Sequence, residues 1–195
     1  MKTTILTIVF LLTLSLICIP QPSHAQEGLR LPQEEQLYDS VVSFGLSALS
    51  LNTIRTDLCI TRHAIQKTFT KLPSPDKGQL EIAAKTMPLK TVSDAVFQAK
   101  LICEYEAQLL TILFYIREGD KEHVYHVRRR ALQFSKRSLA DCLSRIEEDS
   151  NHIDNTVALR LIDKAKKEIR SDLQRIQSTI EIIGHLEEYS DSQNK

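Results

Sequence analysis

Cys59 and His63 stand four residues apart in a segment with helical patterning, which puts a thiol and an imidazole on one face where both can reach a single metal ion. Two ligands do not make a metal site. Cys103 would have to supply a third and Glu106 or Cys142 a fourth. The same cysteines admit two further readings. Cys59 and Cys103 lie at about the same distance from the turn between their helices, so a disulfide can staple the pair, or both thiols can stay free inside the fold. Cys142 falls about six residues out of level with Cys103 and is left as the odd thiol. His123 and His126, three apart behind Glu122, again lack a third ligand.

Charges that interrupt apolar rows form the second constellation. Glu106 breaks one row and Lys166 another, and counting outward from the turns brings Glu106 near the level of Arg55, with Lys166 a turn or two away. The expectation is a polar layer in mid-bundle. It can hold a polar ligand through Glu106, with Arg55 or Lys166 as counter-charge, or it can be an ion-paired layer that fixes register while Lys166 snorkels outward.

Arg128-Arg129-Arg130 with Lys136 and Arg137 is the most basic stretch of the chain. Within it His126, Arg130, Gln133 and Arg137 fall on one stripe, roughly opposite Tyr125, Leu132 and Leu139. Such a stripe suits an acidic partner or an anionic envelope component; the alternative is a solvated face balanced by neighbouring carboxylates.

No G-x-S-x-G, P-loop, H-E-x-x-H or dinucleotide-binding glycine pattern occurs, and no Glu-x-x-His of the di-iron bundles. The sequence therefore points to no enzyme and no cofactor. C-x-x-C is absent too, which removes a thioredoxin-like redox pair, a zinc ribbon and covalent haem.

The elements that must position these residues begin with an address. Lys2, an apolar run from Ile5 to Ile19, Pro20 and then Ser23-His24-Ala25 form the pattern of a cleaved signal peptide over residues 1–25. The run of about fifteen residues is short of the roughly twenty that span a bilayer, and Leu16-Ile17 ahead of Cys18 do not suit lipidation. No later stretch is long and uncharged enough to cross a membrane. Without an N-x-S/T sequon, a bacterial periplasm or exterior is preferred. Cleavage leaves 170 of the 195 residues and removes one lysine from a balance of 25 basic and 25 acidic side chains, a net of −1. That is enough chain for one domain, with no global field to recruit nucleic acid.

After a short extended arm (26–32), apolar residues recur every seven positions. Leu37, Phe44, Leu51, Leu58, Ile65 and Leu72 mark a first helix over about 33–71, ended by Pro73-Ser74-Pro75-Asp76-Lys77-Gly78. A short helical piece over 79–86 precedes Met87-Pro88. A second long helix covers about 89–117, with the rows Leu89, Val96, Cys103, Leu110 and Val92, Ala99, Glu106, Leu113, and with Gly119 as its stop. Its end, Leu109 to Ile116, is apolar nearly all round and must be buried or sit at an interface. A third helix over 121–149 carries Tyr125, Leu132, Leu139, Cys142 and Ile146. A fourth over about 156–188 has the seam Leu159, Ile162, Lys166, Ile169, Leu173, Ile176, Ile180 and Ile183, before a polar tail (190–195) expected to be disordered.

Short connections force antiparallel neighbours, so the expected architecture is an all-α, up-down-up-down four-helix bundle over 33–189 behind a cleaved signal peptide. The function that follows is that of an exported, non-catalytic bundle binding another protein or itself. The competing expectation is a ligand- or metal-binding bundle built on Arg55, Glu106, Lys166, Cys59, His63 and Cys103.

Overall fold

The computed structural model describes residues 32–69, 75–116 and 120–193. The signal peptide, the arm up to residue 31, Leu72, Pro73 and Gly119 lie outside the described residues. Residues 32–195 form a unit of their own, an all-α four-helix bundle, with no strand among the described residues. Its helices are α1 (Pro32–Phe69), α2 (Pro75–Leu113), α3 (Lys121–Ser150) and α4 (Thr156–Gln193).

Each start has a local cause. Pro32 and Pro75 open their helices, where the missing N–H of proline costs nothing and its fixed φ suits the first turn. Glu34 and Glu35 add negative charge at the positive end of α1. Asn155 caps α4: its Oδ1 accepts the Ala158 N–H at 2.9 Å. Between α3 and α4 the chain turns through Asn151 to Ile153 on tight backbone bonds, including Ile153 N–H to Ser150 O at 3.2 Å.

The heptad rows are the core. Leu37, Phe44, Leu51 and Leu58 of α1 are buried, as are Leu89, Val96, Cys103 and Leu110 of α2 and Tyr125, Leu132, Leu139 and Ile146 of α3. Each fully buried Leu or Ile contributes about 1.5–3 kcal/mol by leaving water, which is what holds such long helices together. α1 packs on α2 and α4, α3 packs on the same two, and α2 touches α4 across the diagonal.

Four expectations about the elements are corrected. Met87-Pro88 does not break the chain, because α2 is continuous from Pro75 with Pro88 inside it. The loss of one backbone bond there is outweighed by Leu89 and Val92 anchoring the following turn in the core. Pro75 to Gly78 belongs to a helix and not to the turn, Pro75 standing in the first turn where its missing N–H is not needed. α2 ends at Leu113, earlier than expected, on short-range bonds from Phe114 and Tyr115 N–H to Thr111 and Ile112 O. The polar tail stays helical to Gln193, since Leu186 is buried and nothing in the next turn stops the helix.

The seam of α4 is also shifted by one position. Buried residues are Ala158, Ile162, Ala165, Ile169, Asp172, Ile176, Thr179, Ile183 and Leu186, whereas Leu159, Lys166, Leu173 and Ile180 are half-buried flanks. Gly184 lies on such a flank, and a Cβ there would meet only Arg129 Nη1 at 3.5 Å, an ordinary contact. Gly184→Ala is therefore expected to stabilise the fold by roughly 0.5–1 kcal/mol through helix propensity, read as a higher urea midpoint at unchanged slope.

Candidate functional site

Two carboxylates are built into the interior. Glu106, on the inward row of α2, is 2% exposed and forms an ion pair with Arg128 of α3, itself 7% exposed. The Ser135 hydroxyl, two turns further along α3, donates to Glu106 Oε1 at 2.6 Å. Burial pushes the Arg128 guanidinium down to about 10, which leaves it cationic at neutral pH. Its Nε is buried with no hydrogen-bond partner among the described residues, so the pair is not completely satisfied.

The second carboxylate was not anticipated. Asp172 of α4 is fully buried and collects donors from three directions: the Ser47 hydroxyl of α1, the Cys103 thiol of α2 at 3.3 Å, and Arg175 one turn along its own helix. Arg175 also lies over the Phe44 ring, 5.4 Å from its centroid. Desolvation pushes the Asp172 carboxyl above the usual range, opposed by the bonds from Ser47 and Cys103 and by the Arg175 charge, and helped by Glu168. The Cys103 thiol is pushed up, first by burial and then by the Asp172 charge. Two turns away the hydroxyls of Thr179 and Ser40 meet at 3.1 Å.

This interior differs from the expected one. Glu106 takes neither Arg55 nor Lys166 as its counter-charge. Arg55 lies with its guanidinium 4.2 Å from the centroid of the Phe97 ring, and Lys166 Nζ donates to Ser150 Oγ at 3.0 Å near the far end of α3. The three residues do not share a site. The Cys59–Cys103 disulfide is also overturned, for both thiols are free. Cys59 is exposed and sits 3.2 Å from Ser93 Oγ, whereas Cys103, ten residues further along α2, points at Asp172 at the level of Ser47. With α2 beginning at Pro75 the two cysteines are not equally far from the turn, and at 1.5 Å per residue they stand about 15 Å apart along the bundle. His63 is exposed, and among the described residues no group of three His, Cys, Asp or Glu could hold a metal ion.

Asp172 and Thr179 had a signal that was overlooked. Ala158, Ala165, Asp172, Thr179 and Leu186 are spaced by seven, beside the isoleucine row Ile162, Ile169, Ile176 and Ile183. The small residues of that row let helices approach closely, which marks it as inward-facing.

The outer surface carries the other constellation. Of the five cations between Arg128 and Arg137, Arg128 is used inside, Arg129 pairs with Glu187 at 3.3 Å and Lys136 donates to Gln177 at 2.7 Å. His126 meets Glu187 at 3.0 Å. Arg130, Gln133 and Arg137 are exposed, on the same stripe as His126. Beside that stripe Val127 and Phe134 are 51% and 71% exposed.

The Glu106 contacts bring α2 alongside. The contacts of Glu106 with Ser135 and Arg128 set the level at which the two helices meet, which puts the exposed Tyr105 beside the exposed Phe134 along the bundle and Ile112 beside Val127. Leu109 and Ile112 continue the row from Tyr105 at four and seven residues, all three being exposed. The all-round apolar end of α2 is thus explained in part: Leu110 and Leu113 enter the core, and Leu109, Ile112, Phe114 and Tyr115 stay outside it.

No family model, no curated protein and no solved structure matches this chain.

Two measurements test this interior. Because the folded value for Asp172 lies above the unfolded one near 4, its contribution to stability is greatest below pH 4 and declines as pH rises through the folded value. The stability of the native chain relative to Asp172→Asn, from urea midpoints, should accordingly fall between pH 4 and pH 7; a flat or rising difference contradicts the assignment. In alkylation with iodoacetamide at neutral pH, Cys59 should react in the folded protein, with Cys103 and Cys142 protected until urea is added, since both are buried and both thiols are pushed up by burial.

Proposed function

We propose that this is an exported, non-catalytic helical bundle that binds another protein, or a second copy of itself, through the α2–α3 face. The observation that carries the reading is the run of Tyr105, Leu109, Ile112, Val127 and Phe134 left exposed beside Arg130 and Arg137, which have no ion-pair partner among the described residues. A contiguous apolar patch rimmed by charge is costly to a monomer and is the usual form of a protein-binding surface. Phosphate-bearing lipid or polysaccharide would engage the arginines and leave the apolar residues wet, so a protein is the better fit. A non-catalytic role is supported by the interior: Asp172 and Glu106 are buried on donors of the chain itself, with no face turned to a substrate.

The proposal includes helices that run up, down, up and down. Supporting it are pairs in which a rising number on one helix meets a falling number on its neighbour. Ser40 with Thr179 and Ser47 with Asp172 link α1 to α4, and Arg55 with Phe97 and Cys59 with Ser93 link α1 to α2. Gln98 with Arg145 and Glu106 with Ser135 link α2 to α3, and Lys136 with Gln177 and Ser150 with Lys166 link α3 to α4. Export to a bacterial periplasm or exterior is supported by the N-terminal pattern of residues 1–25, and no described helix is long and apolar enough to cross a membrane.

A photo-crosslinking amino acid placed at Phe134 and expressed in an exporting cell should give a discrete adduct, and one at the exposed Gln174 of α4 should give none. Equal labelling at the two positions, or none at either, contradicts the assignment of the face.

A further inference from the structure

A second exposed apolar row lies on α1, at the corner diagonal to α3, with Tyr38 at one end set edge-on to Phe114, ring centroids 6.3 Å apart. Tyr38, Val42, Leu46 and Leu49 follow one another at intervals of four, four and three, and they are 42%, 40%, 62% and 51% exposed. Between Pro32 and Ile54 the chain contains Glu34, Glu35 and Asp39 and no Lys, Arg or His. Glu34 is engaged by Lys121 at 3.7 Å. Glu35 and Asp39 are exposed, flank Tyr38, and have no ion-pair partner among the described residues.

The α2–α3 face has the opposite sign. From His123 to Ala140 there is no acidic residue, and Arg130 and Arg137 have no ion-pair partner among the described residues. The apolar row of α2 beside them adds no exposed charge: Glu104 is bonded to Lys100, and Glu106 is buried. One chain therefore carries an acidic apolar ridge and a basic apolar groove. Since α1 and α3 each pack on α2 and α4 and meet one another only through Glu34 and Lys121 at one end, they occupy diagonal corners, and the outward row of α1 is turned away from the groove of its own molecule.

We propose that the α1 ridge of one copy docks in the α2–α3 groove of a second, with Glu35 and Asp39 against Arg130 and Arg137 and with Tyr38, Val42, Leu46 and Leu49 covering Tyr105, Leu109, Ile112 and Phe134. This inference rests on the α2–α3 face being an interaction surface and names its occupant. The two patches differ, so the contact is head-to-tail, and it propagates into a ring if the rotation closes or an open chain if it does not. The balanced charge of 25 basic and 25 acidic residues imposes no long-range repulsion between copies.

Sedimentation velocity of the purified processed chain over a hundredfold range of concentration should show mass growing beyond the monomer. The double variants Glu35→Lys with Asp39→Lys, and Arg130→Glu with Arg137→Glu, should each weaken association about tenfold or more while keeping the helical circular dichroism of the parent, because all four side chains are exposed. Mixed in equal amounts, the two variants should associate again, for each then offers the charge the other needs. If mixing restores nothing, or if one variant associates as well as the parent, head-to-tail docking is overturned. A parent chain that stays monomeric while a crosslinker at Phe134 captures a different protein also overturns self-docking and leaves the interaction surface standing. Monomer with no adduct at Phe134 removes both.

Discussion

A carboxylate placed between packed helices has to find its donors there, and this requirement fixes how the four helices of the bundle meet. An unpaired buried charge costs several kcal/mol, so Glu106 and Asp172 are tolerable only where Arg128, Ser135, Ser47, Cys103 and Arg175 arrive together. Apolar heptad rows alone would allow α1 or α3 to slide by one repeat at small cost, since one leucine resembles the next. Sliding would strip both carboxylates of their partners. Asp172 is bonded from α1 and from α2 across the diagonal, and Glu106 from α3, so the two groups between them tie all four helices to one register.

The same use of charge inside shapes what is left outside. Arg128 is consumed by Glu106, Arg129 by Glu187 and Lys121 by Glu34, while Lys136 donates to Gln177 and Arg145 to Gln98. Arg130 and Arg137 remain, next to apolar side chains that stay exposed among the described residues. Each helix of a square bundle buries two flanks and one inner stripe, and its outer third meets whatever lies beyond. Along the middle of α4 that outer third is polar, with Val157 and Tyr189 exposed near its two ends, whereas on α1, α2 and α3 it includes Leu46, Leu49, Tyr105, Ile112 and Phe134.

Much of the fold was legible because period alone reveals it. Leu89, Val96, Cys103 and Leu110, with Val92, Ala99, Glu106 and Leu113 beside them, are buried where the sevenfold spacing puts them, and so are Tyr125, Leu132, Leu139, Cys142 and Ile146. Glu106 stood out as an interior carboxylate because it interrupts such a row. Its partner was not legible. Arg128 is one of three consecutive arginines, and only the rotation of α3 against α2 turns that one inward. The α4 seam failed for a related reason: two sevenfold rows flank Ile162, Ile169 and Ile176, one large and one small, and hydrophobicity favours the large row where close packing selects the small one.

The sequence by itself determined that this chain is helical, where most of its helices begin and end, and which rows of α1, α2 and α3 enter the core, because these depend on spacing along a single helix and on turn residues such as Asn155. It also determined the inventory of charge. Which charges meet was decided only by the tertiary structure. Pairing between helices depends on their rotation about their own axes, and a rotation of one residue, 100°, exchanges a flank for the core without altering any periodicity. The level at which helices meet decides the rest: with α2 starting at Pro75, Arg55 stands level with Phe97 and Cys59 with Ser93, nine to ten residues short of Glu106 and Cys103, while Lys166 reaches Ser150 and Cys103 meets a buried aspartate.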